Sequence, residues 1–401
     1  MTEAVAQRRR SVAAFALAAI MAWGVLYYAF AVVLTPIGEE LGWSTAAVSG
    51  AFSTGMLASG LAAPTVGRTV DRHGARGVVA GGVALGAAGL TLWSFVTTLP
   101  GLYAAWALVG VAMAATLYEP AAASVGRYPP AQRRNALLAI TLVTALASTI
   151  FSPLTAVLVD TVGWRGGLRV LAVAFLLIGT PVALLGIPRH GHDRSATTPA
   201  QAGHGASPMR SGEFRRIAAA FAIARGLGVA VGVHVVAFLI SLGYPGLVAA
   251  GFAGAIGVAK VAGRVAVTVA QRRIDGFRVA VVTLGVQGAA LTLPVLVPGT
   301  LGVVAMVALF GAAYGATMIL RPELIATRFA TQGIGRFNGS AALVGASAGA
   351  LTPLLVGVGV TAHGGYTASW LVLAAAGVGS AALIAPLRPQ RGRRTWRRVP
   401  H

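Results

Sequence analysis

Runs of about 20 apolar residues recur from one end of this chain to the other, and no other feature limits its fold so strongly. Of 401 residues, 56% are hydrophobic and only 10% are charged, a balance that soluble domains of this length do not keep. In a bilayer the backbone must satisfy its own hydrogen bonds, so apolar runs of this length read as spanning helices. Twelve can be read, at residues 11–34, 47–70, 77–96, 101–125, 137–159, 168–187, 217–239, 247–269, 279–297, 301–326, 339–360 and 367–387. The first is too long for the core of a signal peptide and lacks a persuasive cleavage site, so it is expected to be retained.

The formal net charge of +21 raises nucleic acid as a partner, but its distribution argues against one. With the N-terminus in the cytoplasm, 25 of the 31 basic residues fall in cytoplasmic tails and loops. Only Arg165 and Arg169 fall outside, and four basic residues lie within helices. Positive charge collects on the cytoplasmic side of membrane proteins, so both termini are expected there. The tail 388–401, with six arginines between Arg388 and Arg398, suits an anionic lipid surface. The absence of cysteine removes disulfides and thiolate metal sites, and no cofactor motif is found. Arginine outnumbers lysine thirty to one, a bias that suggests a bacterium with GC-rich DNA, so the spanning chain is expected in a bacterial inner membrane.

Residues 188–213 form the only long polar stretch and read as a cytoplasmic linker. His190, His192 and Asp193 lie within it without the further fixed ligands that a metal needs. Sliding the chain against itself by 201 residues aligns the parts on either side without gaps. Gly42-Trp43 meets Gly243-Tyr244, Gly110 meets Gly311, Arg127-Tyr128 meets Arg328-Phe329, and Gly163 meets Gly364. Repeats of this kind are a transporter signature. The expected organisation is a six-helix bundle at 1–187, the linker at 188–213, a pseudo-symmetric six-helix bundle at 214–387 and a basic cytoplasmic tail at 388–401.

A short charged loop stands between the second and third runs: Gly67-Arg68-Thr69-Val70-Asp71-Arg72-His73-Gly74-Ala75-Arg76. Its pattern resembles the loop between helices two and three of the major facilitator superfamily of secondary transporters. The stretch from Arg127 to Ala136, together with Trp23-Gly24, is similar to the branch of monocarboxylate porters and oxalate:formate antiporters. The acidic-Gly-Gly lead-in of that branch is replaced by Ile20-Met21-Ala22. The resemblance implies two bundles rocking about a central site. It also implies a gating loop built from Gly67, Asp71, Arg72, Gly74 and Arg76, with Arg127 as a partner. Asp71 would face the start of helix eleven near Arg336.

Ionisable residues inside a membrane are expensive and rarely idle. Besides His234, six stand within the runs: Glu119, Arg225, Lys260, Arg264, Arg321 and Glu323. All but Glu119 belong to the second half, and their repeat equivalents, such as Ser59 for Lys260 and Ala63 for Arg264, are uncharged. Lys260 and Arg264 are four apart, so they share a helix face and call for a negative group between them. The resemblance places Arg264 at the branch's anion-binding arginine, while Lys260 fills the position of its aspartate. Arg225, Arg321, Tyr27 and Tyr28 complete the expected substrate residues. Glu119, Glu323 and His234 are the expected proton-coupling groups, with His234 equally readable as a satisfied interior histidine. Glu119 and Arg321 are at similar depth and are expected to pair across the cavity.

Gly345-Ala346-Ser347-Ala348-Gly349 matches a hydrolase motif, but it lies within an apolar helix, where small residues instead permit close packing. The favoured function is therefore proton-coupled secondary transport of a small organic anion, chiefly a monocarboxylate, by a chain that is not an enzyme. Proton-driven export of a drug or metabolite is the alternative. The Ile150-Phe151-Ser152-Pro153-Leu154 stretch departs from the helix-five motif of that group. A non-transporting membrane receptor is a third class.

Overall fold

The computed structural model describes residues 2–125, 128–188, 208–329 and 334–387. Among them every regular element is a helix. Ten of the spans are separate helices: α1 (Ala6–Leu41), α2 (Thr45–His73), α3 (Ala75–Ser94), α4 (Leu99–Val125), α7 (Gly212–Ser241), α8 (Gly246–Ala270), α9 (Gly276–Leu296), α10 (Thr300–Arg328), α11 (Arg336–His363) and α12 (Tyr366–Ile384). The other two, α5 (132–162) and α6 (164–186), join as one helical run, Gln132–Gly186. That run is bent back at Gly163, whose φ of 71° is open only to glycine at low cost. Past the bend, Gly167 lies against Leu158, so the two arms are neighbours. The twelve expected crossings thus come from eleven helices.

The internal repeat is visible in the backbone. The positive-φ glycines Gly42 and Gly243 stand 201 residues apart, as do Gly163 and Gly364. In the first half α4 packs along α2, and a Cβ at Gly110 would overlap the Gly55 carbonyl. In the second half α10 packs along α8, and a Cβ at Gly311 would meet Ile256 and Ala259. Both pairs keep the same 201-residue offset, so one helix-pair geometry is used twice.

Arg165 and Arg169, the two basic residues outside the main distribution, are structural. Arg165 Nε donates to Glu40 at 2.9 Å, and its Nη1 donates to the carbonyls of Ser94 and Val96 at 2.9 and 3.0 Å. Trp164 Nε1 also donates to Glu40, at 2.5 Å, while Arg169 Nε donates to Ser94 Oγ at 3.2 Å. The ends of α1, α3 and α6 are stapled at the Gly163 end of the molecule.

The halves meet along three helix pairs: α1 with α7, α2 with α11, and α5 with α8. Contacts between α2 and α11 gather at the Gly163 end, where Ala46 N–H donates to Thr361 Oγ1 at 3.2 Å and Gly357 abuts Thr45, Ala46 and Ser49. Towards the other end, no atom of the described residues lies within 4 Å of a Cβ built on Gly60, Gly67 or Gly339. Between α5 and α8, Thr149 Oγ1 donates to the Gly254 carbonyl at 2.7 Å.

The expected linker falls mostly outside the described residues, with His190, His192 and Asp193. The basic tail 388–401 and Arg127 lie outside them too. On the near side of the gap the chain is described to Pro188, and on the far side α7 already begins at Gly212.

Because the Gly55 carbonyl is backbone and cannot move aside cheaply, Gly110→Ala is expected to destabilise the protein. Overpacking of this kind costs about 1–3 kcal/mol, and thermal unfolding in detergent should fall accordingly. Gly60→Ala, with open space around it, should leave the midpoint unchanged.

Candidate functional site

The centre of the molecule is set by an irregular turn in α1. Residues Trp23–Tyr28 adopt a π-helical turn, a feature that recurs at functional sites. Gly24 admits the Phe151 ring of α5 directly against its backbone. Tyr27 packs edge-on between Tyr28 and Phe52, with ring centroids 5.0 and 5.2 Å away, and its hydroxyl reaches towards Gly232 of α7. Tyr28 reaches across to α8. There the Lys260 ammonium donates to the Tyr28 hydroxyl at 3.1 Å. It also lies 5.3 Å from the ring centres of both Tyr28 and Tyr314, within cation–π range. Tyr314 in turn rests flat on Gly228 of α7, where any side chain would collide with its ring. Lys260 is therefore held between one tyrosine from each half.

A small, partly open cavity lies beside this ammonium. Tyr28, Ser152 and Lys260 form its polar lining.

Arg225 and Arg321 approach each other over Gly345, whose missing side chain leaves room for Arg225 Cδ and Arg321 Nη1. Gly349, one turn on, accommodates Arg225 Nε in the same way. The glycines of the hydrolase-like motif thus serve as a saddle for two arginines. Arg264 lies one turn from Lys260 and donates to the Thr141 carbonyl of α5 at 2.7 Å, making a second bridge between the halves. The Nε atoms of Arg225 and Arg264 are buried without a hydrogen-bond partner among the described residues.

The expected Glu119–Arg321 pair is not formed. Helix α4 breaks at Leu117, with φ −77° and ψ −122°, and resumes at Glu119. The carboxylate is thereby placed beside the Tyr118 and Glu119 amides, and Arg225 is the cation whose charge bears on it. By contrast α10 runs unbroken through Pro322, so the two Pro-centred stretches differ despite their similar sequences. Among the described residues, Glu119, Arg225, Lys260, Arg264 and Arg321 form no ion pair within 4.0 Å.

Glu323 and His234 have partners outside this cluster. Glu323 is exposed and accepts from Gln271 at the end of α8 at 2.5 Å. His234 is fully buried. Its Nε2 lies 2.9 Å from the Pro353 carbonyl and 3.5 Å from Ser49 Oγ, and its Nδ1 lies 3.3 Å from the Tyr366 hydroxyl. A donor Nε2–H and an acceptor Nδ1 satisfy both main contacts with a neutral ring.

In the loop expected to gate, Gly74 ends α2 with φ 83°, its N–H donating to the Val70 carbonyl at 2.9 Å. Arg76 Nε donates to the Ile187 carbonyl at the end of α6 at 2.5 Å. Asp71 and Arg72 are exposed.

Sequence reasoning missed Tyr314 and Ser152 as site residues. Tyr314 carried a legible signal: it precedes Arg321 by seven residues, which places both on one face of α10. Ser148 and Ser152 similarly share a face of α5, but Ser152 drew notice only as part of a departing motif.

Residues 13–353 match the Major Facilitator Superfamily. The chain belongs to that family. It is an integral membrane transporter with a small-molecule substrate. Among curated relatives it is similar to monocarboxylate transporter 13 of Bos taurus, at 28% identity over 366 residues covering 89% of this chain and 82% of that one. The Rattus norvegicus protein of the same name is 27% identical over 365 residues, with the same coverage. Among solved structures, a bacterial homologue of the human lysosomal transporter Spinster, inward-facing and unoccupied, superposes with a TM-score of 0.71 at 14% identity, covering 94% of this chain and 95% of that one. Its occupied inward-facing form gives 0.70 at 14% identity, with 93% of each chain covered.

If His234 is a satisfied interior group, His234→Gln should keep the bond to the Pro353 carbonyl and leave thermal stability close to that of the parent transporter. His234→Leu strands that carbonyl and the Tyr366 hydroxyl, at a cost of about 1–3 kcal/mol each. A clear fall in unfolding midpoint for Leu alone is the expected result.

Proposed function

We propose that the chain transports a small organic anion, chiefly a monocarboxylate, together with protons, by alternating access. One observation carries this reading. Four cations, Arg225, Lys260, Arg264 and Arg321, gather around the centre, and none forms an ion pair with another described residue. Uncompensated charge at membrane depth is costly, and an anionic substrate would supply the missing countercharge. The similarity to monocarboxylate transporter 13 supports a carboxylate in particular. Arginine offers such a group a planar two-pronged fork, and lysine offers a point charge.

In the proposed cycle the anion enters the cluster and competes for the bonds that tie the halves together. Lys260 would trade its bond to Tyr28, and Arg264 its bond to the Thr141 carbonyl, for the substrate. Both traded bonds cross the interface, so occupancy would loosen contact on one side and allow rocking. Glu119 is the candidate proton carrier, as an exposed carboxylate under the influence of Arg225. With the Gly74 end in the cytoplasm, as the charge distribution expects, the contacts at the Gly163 end would close the outer side. The same orientation puts both termini in the cytoplasm, with the basic tail near anionic lipid, in a bacterial inner membrane.

Proteoliposomes given a panel of monocarboxylates, dicarboxylates and cationic drugs test the reading. Carboxylate uptake accelerated by an inward proton gradient is expected, and Glu119→Gln should abolish that acceleration while leaving carboxylate counterflow intact. Transport of cationic drugs, unaffected by Arg264→Ala, would contradict it.

A further inference from the structure

Helix α4 is interrupted where its repeat partner is not. Its first part ends at Thr116, Leu117 and Tyr118 leave the helix, and a short inner segment resumes at Glu119–Val125. At the 201-residue offset, Leu117, Tyr118 and Glu119 correspond to Met318, Ile319 and Leu320. Helix α10 passes through all three without a break. Proline does not explain the difference. Pro120 removes its own bond to the Thr116 carbonyl, but the gap lies in the two bonds before it. Pro322, one residue further on in the repeat, leaves α10 continuous.

The two missing bonds are those of Tyr118 and Glu119. In a continuous helix their amides would donate to the Ala114 and Ala115 carbonyls, four residues back. Here neither amide donates to a backbone carbonyl among the described residues. The Glu119 carboxylate lies beside both of them instead. An ionised carboxylate only accepts hydrogen bonds, and those it accepts are roughly twice as strong as neutral ones. The side chain therefore competes with the helix for the same two donors. Leu320 offers α10 no such acceptor, and there the helix is whole.

Arg225 of α7 is the cation whose charge bears on Glu119, and Tyr118 adjoins it on its own helix. The inner segment packs on α2, α3 and α5. Their charges stand at the inner ends of those helices: Arg68, Asp71, Arg72 and His73 on α2, Arg76 on α3, and Arg133 and Arg134 on α5.

We propose that Glu119 is a proton-operated switch in the backbone of α4. Ionised, its carboxylate captures the Tyr118 and Glu119 amides and keeps the helix broken. Protonated, it releases them to the Ala114 and Ala115 carbonyls and the helix closes. The inference rests on the reading of Glu119 as the proton carrier and adds what the proton does. Glu119 is exposed, so it takes its proton from water and returns it there. Closing the helix re-aims the inner segment, whose Ala121 and Val125 are buried with Phe15 of α1, Val70 of α2 and Val79 of α3. The inner ends of the first bundle would move with it, and Arg225 would lose the negative charge nearby.

The chain has no cysteine, so spin labels at Ala104→Cys and Ala122→Cys, on either side of the break, report on it alone in lipid nanodiscs. In a continuous helix, at a rise of about 1.5 Å per residue, this pair is about 27 Å apart along the axis. The broken helix should give a second, resolved distance. As the pH falls through the titration of Glu119, the parent chain should convert from the second distance to the helical one. Glu119→Gln, neutral at every pH, should hold the helical distance throughout. Pro120→Ala should keep the pH-driven change.

A distance that does not change with pH, a Glu119→Gln chain that stays broken, or a Pro120→Ala chain that is continuous at high pH would each overturn the switch. Uptake under an inward proton gradient separates this from the transport reading. If Glu119→Gln abolishes the acceleration while the distance never moves, the proton-carrier reading stands and the switch falls. If Glu119→Gln fixes the helical distance yet acceleration survives, the switch stands and that reading falls.

Discussion

The arrangement depends on a lysine ammonium kept at the centre of a membrane protein with no carboxylate among the described residues paired to it. Lys260 is held by the Tyr28 hydroxyl and by two tyrosine rings. A cation–π contact contributes about 0.5–2 kcal/mol, whereas an unpaired charge at mid-bilayer costs about 2.5 kcal/mol at the least. Two such contacts and the hydrogen bond together offset a cost of that size, but they leave the charge itself without a counter-ion among the described residues. Much of the surrounding geometry serves the cage. The π-helical turn brings Tyr28 inward, the bare backbone at Gly228 lets Tyr314 lie flat, and the α8–α10 packing sets Lys260 against Gly315.

That cage also spans the interface between the halves. Tyr28 comes from the first bundle, and Lys260 and Tyr314 come from the second. The Arg264–Thr141 bond crosses the same interface one turn away. In the proposed cycle binding and motion would be linked without a separate device, because the groups that would grip an anion are those that hold the halves together. The repeat makes this possible. Both halves keep the helix-pair contacts at Gly110 and Gly311, and only the second carries the central cations.

The sequence made the architecture legible because spanning helices announce themselves by length and apolarity. The 201-residue offset read from Gly42, Gly110 and Gly163 reappears as matched backbone angles and matched contacts. The fifth and sixth spans merge because a single glycine at 163 makes the turn, and no polar loop marks a turn that short. The site was legible in part. Membrane depth alone singled out Lys260, Arg225, Arg264 and Arg321. The pairing of Glu119 with Arg321 failed because it rested on similar depth, which does not fix the local course of the backbone. Helix α4 breaks while α10 does not, and local backbone angles of that kind leave no trace in spacing. Tyr314 and Ser152 were hidden by their ordinariness: one aromatic and one hydroxyl among many, distinguished only by what they face.

Thermal unfolding of the parent chain and of Lys260→Met, each with and without the monocarboxylate isovalerate, tests the central claim most directly. If the ammonium awaits an anionic partner, the methionine variant should be at least as stable as the parent without ligand and should gain nothing from it. The parent should be stabilised by isovalerate. A methionine variant that is less stable without ligand, yet is stabilised by isovalerate as much as the parent, would contradict the account.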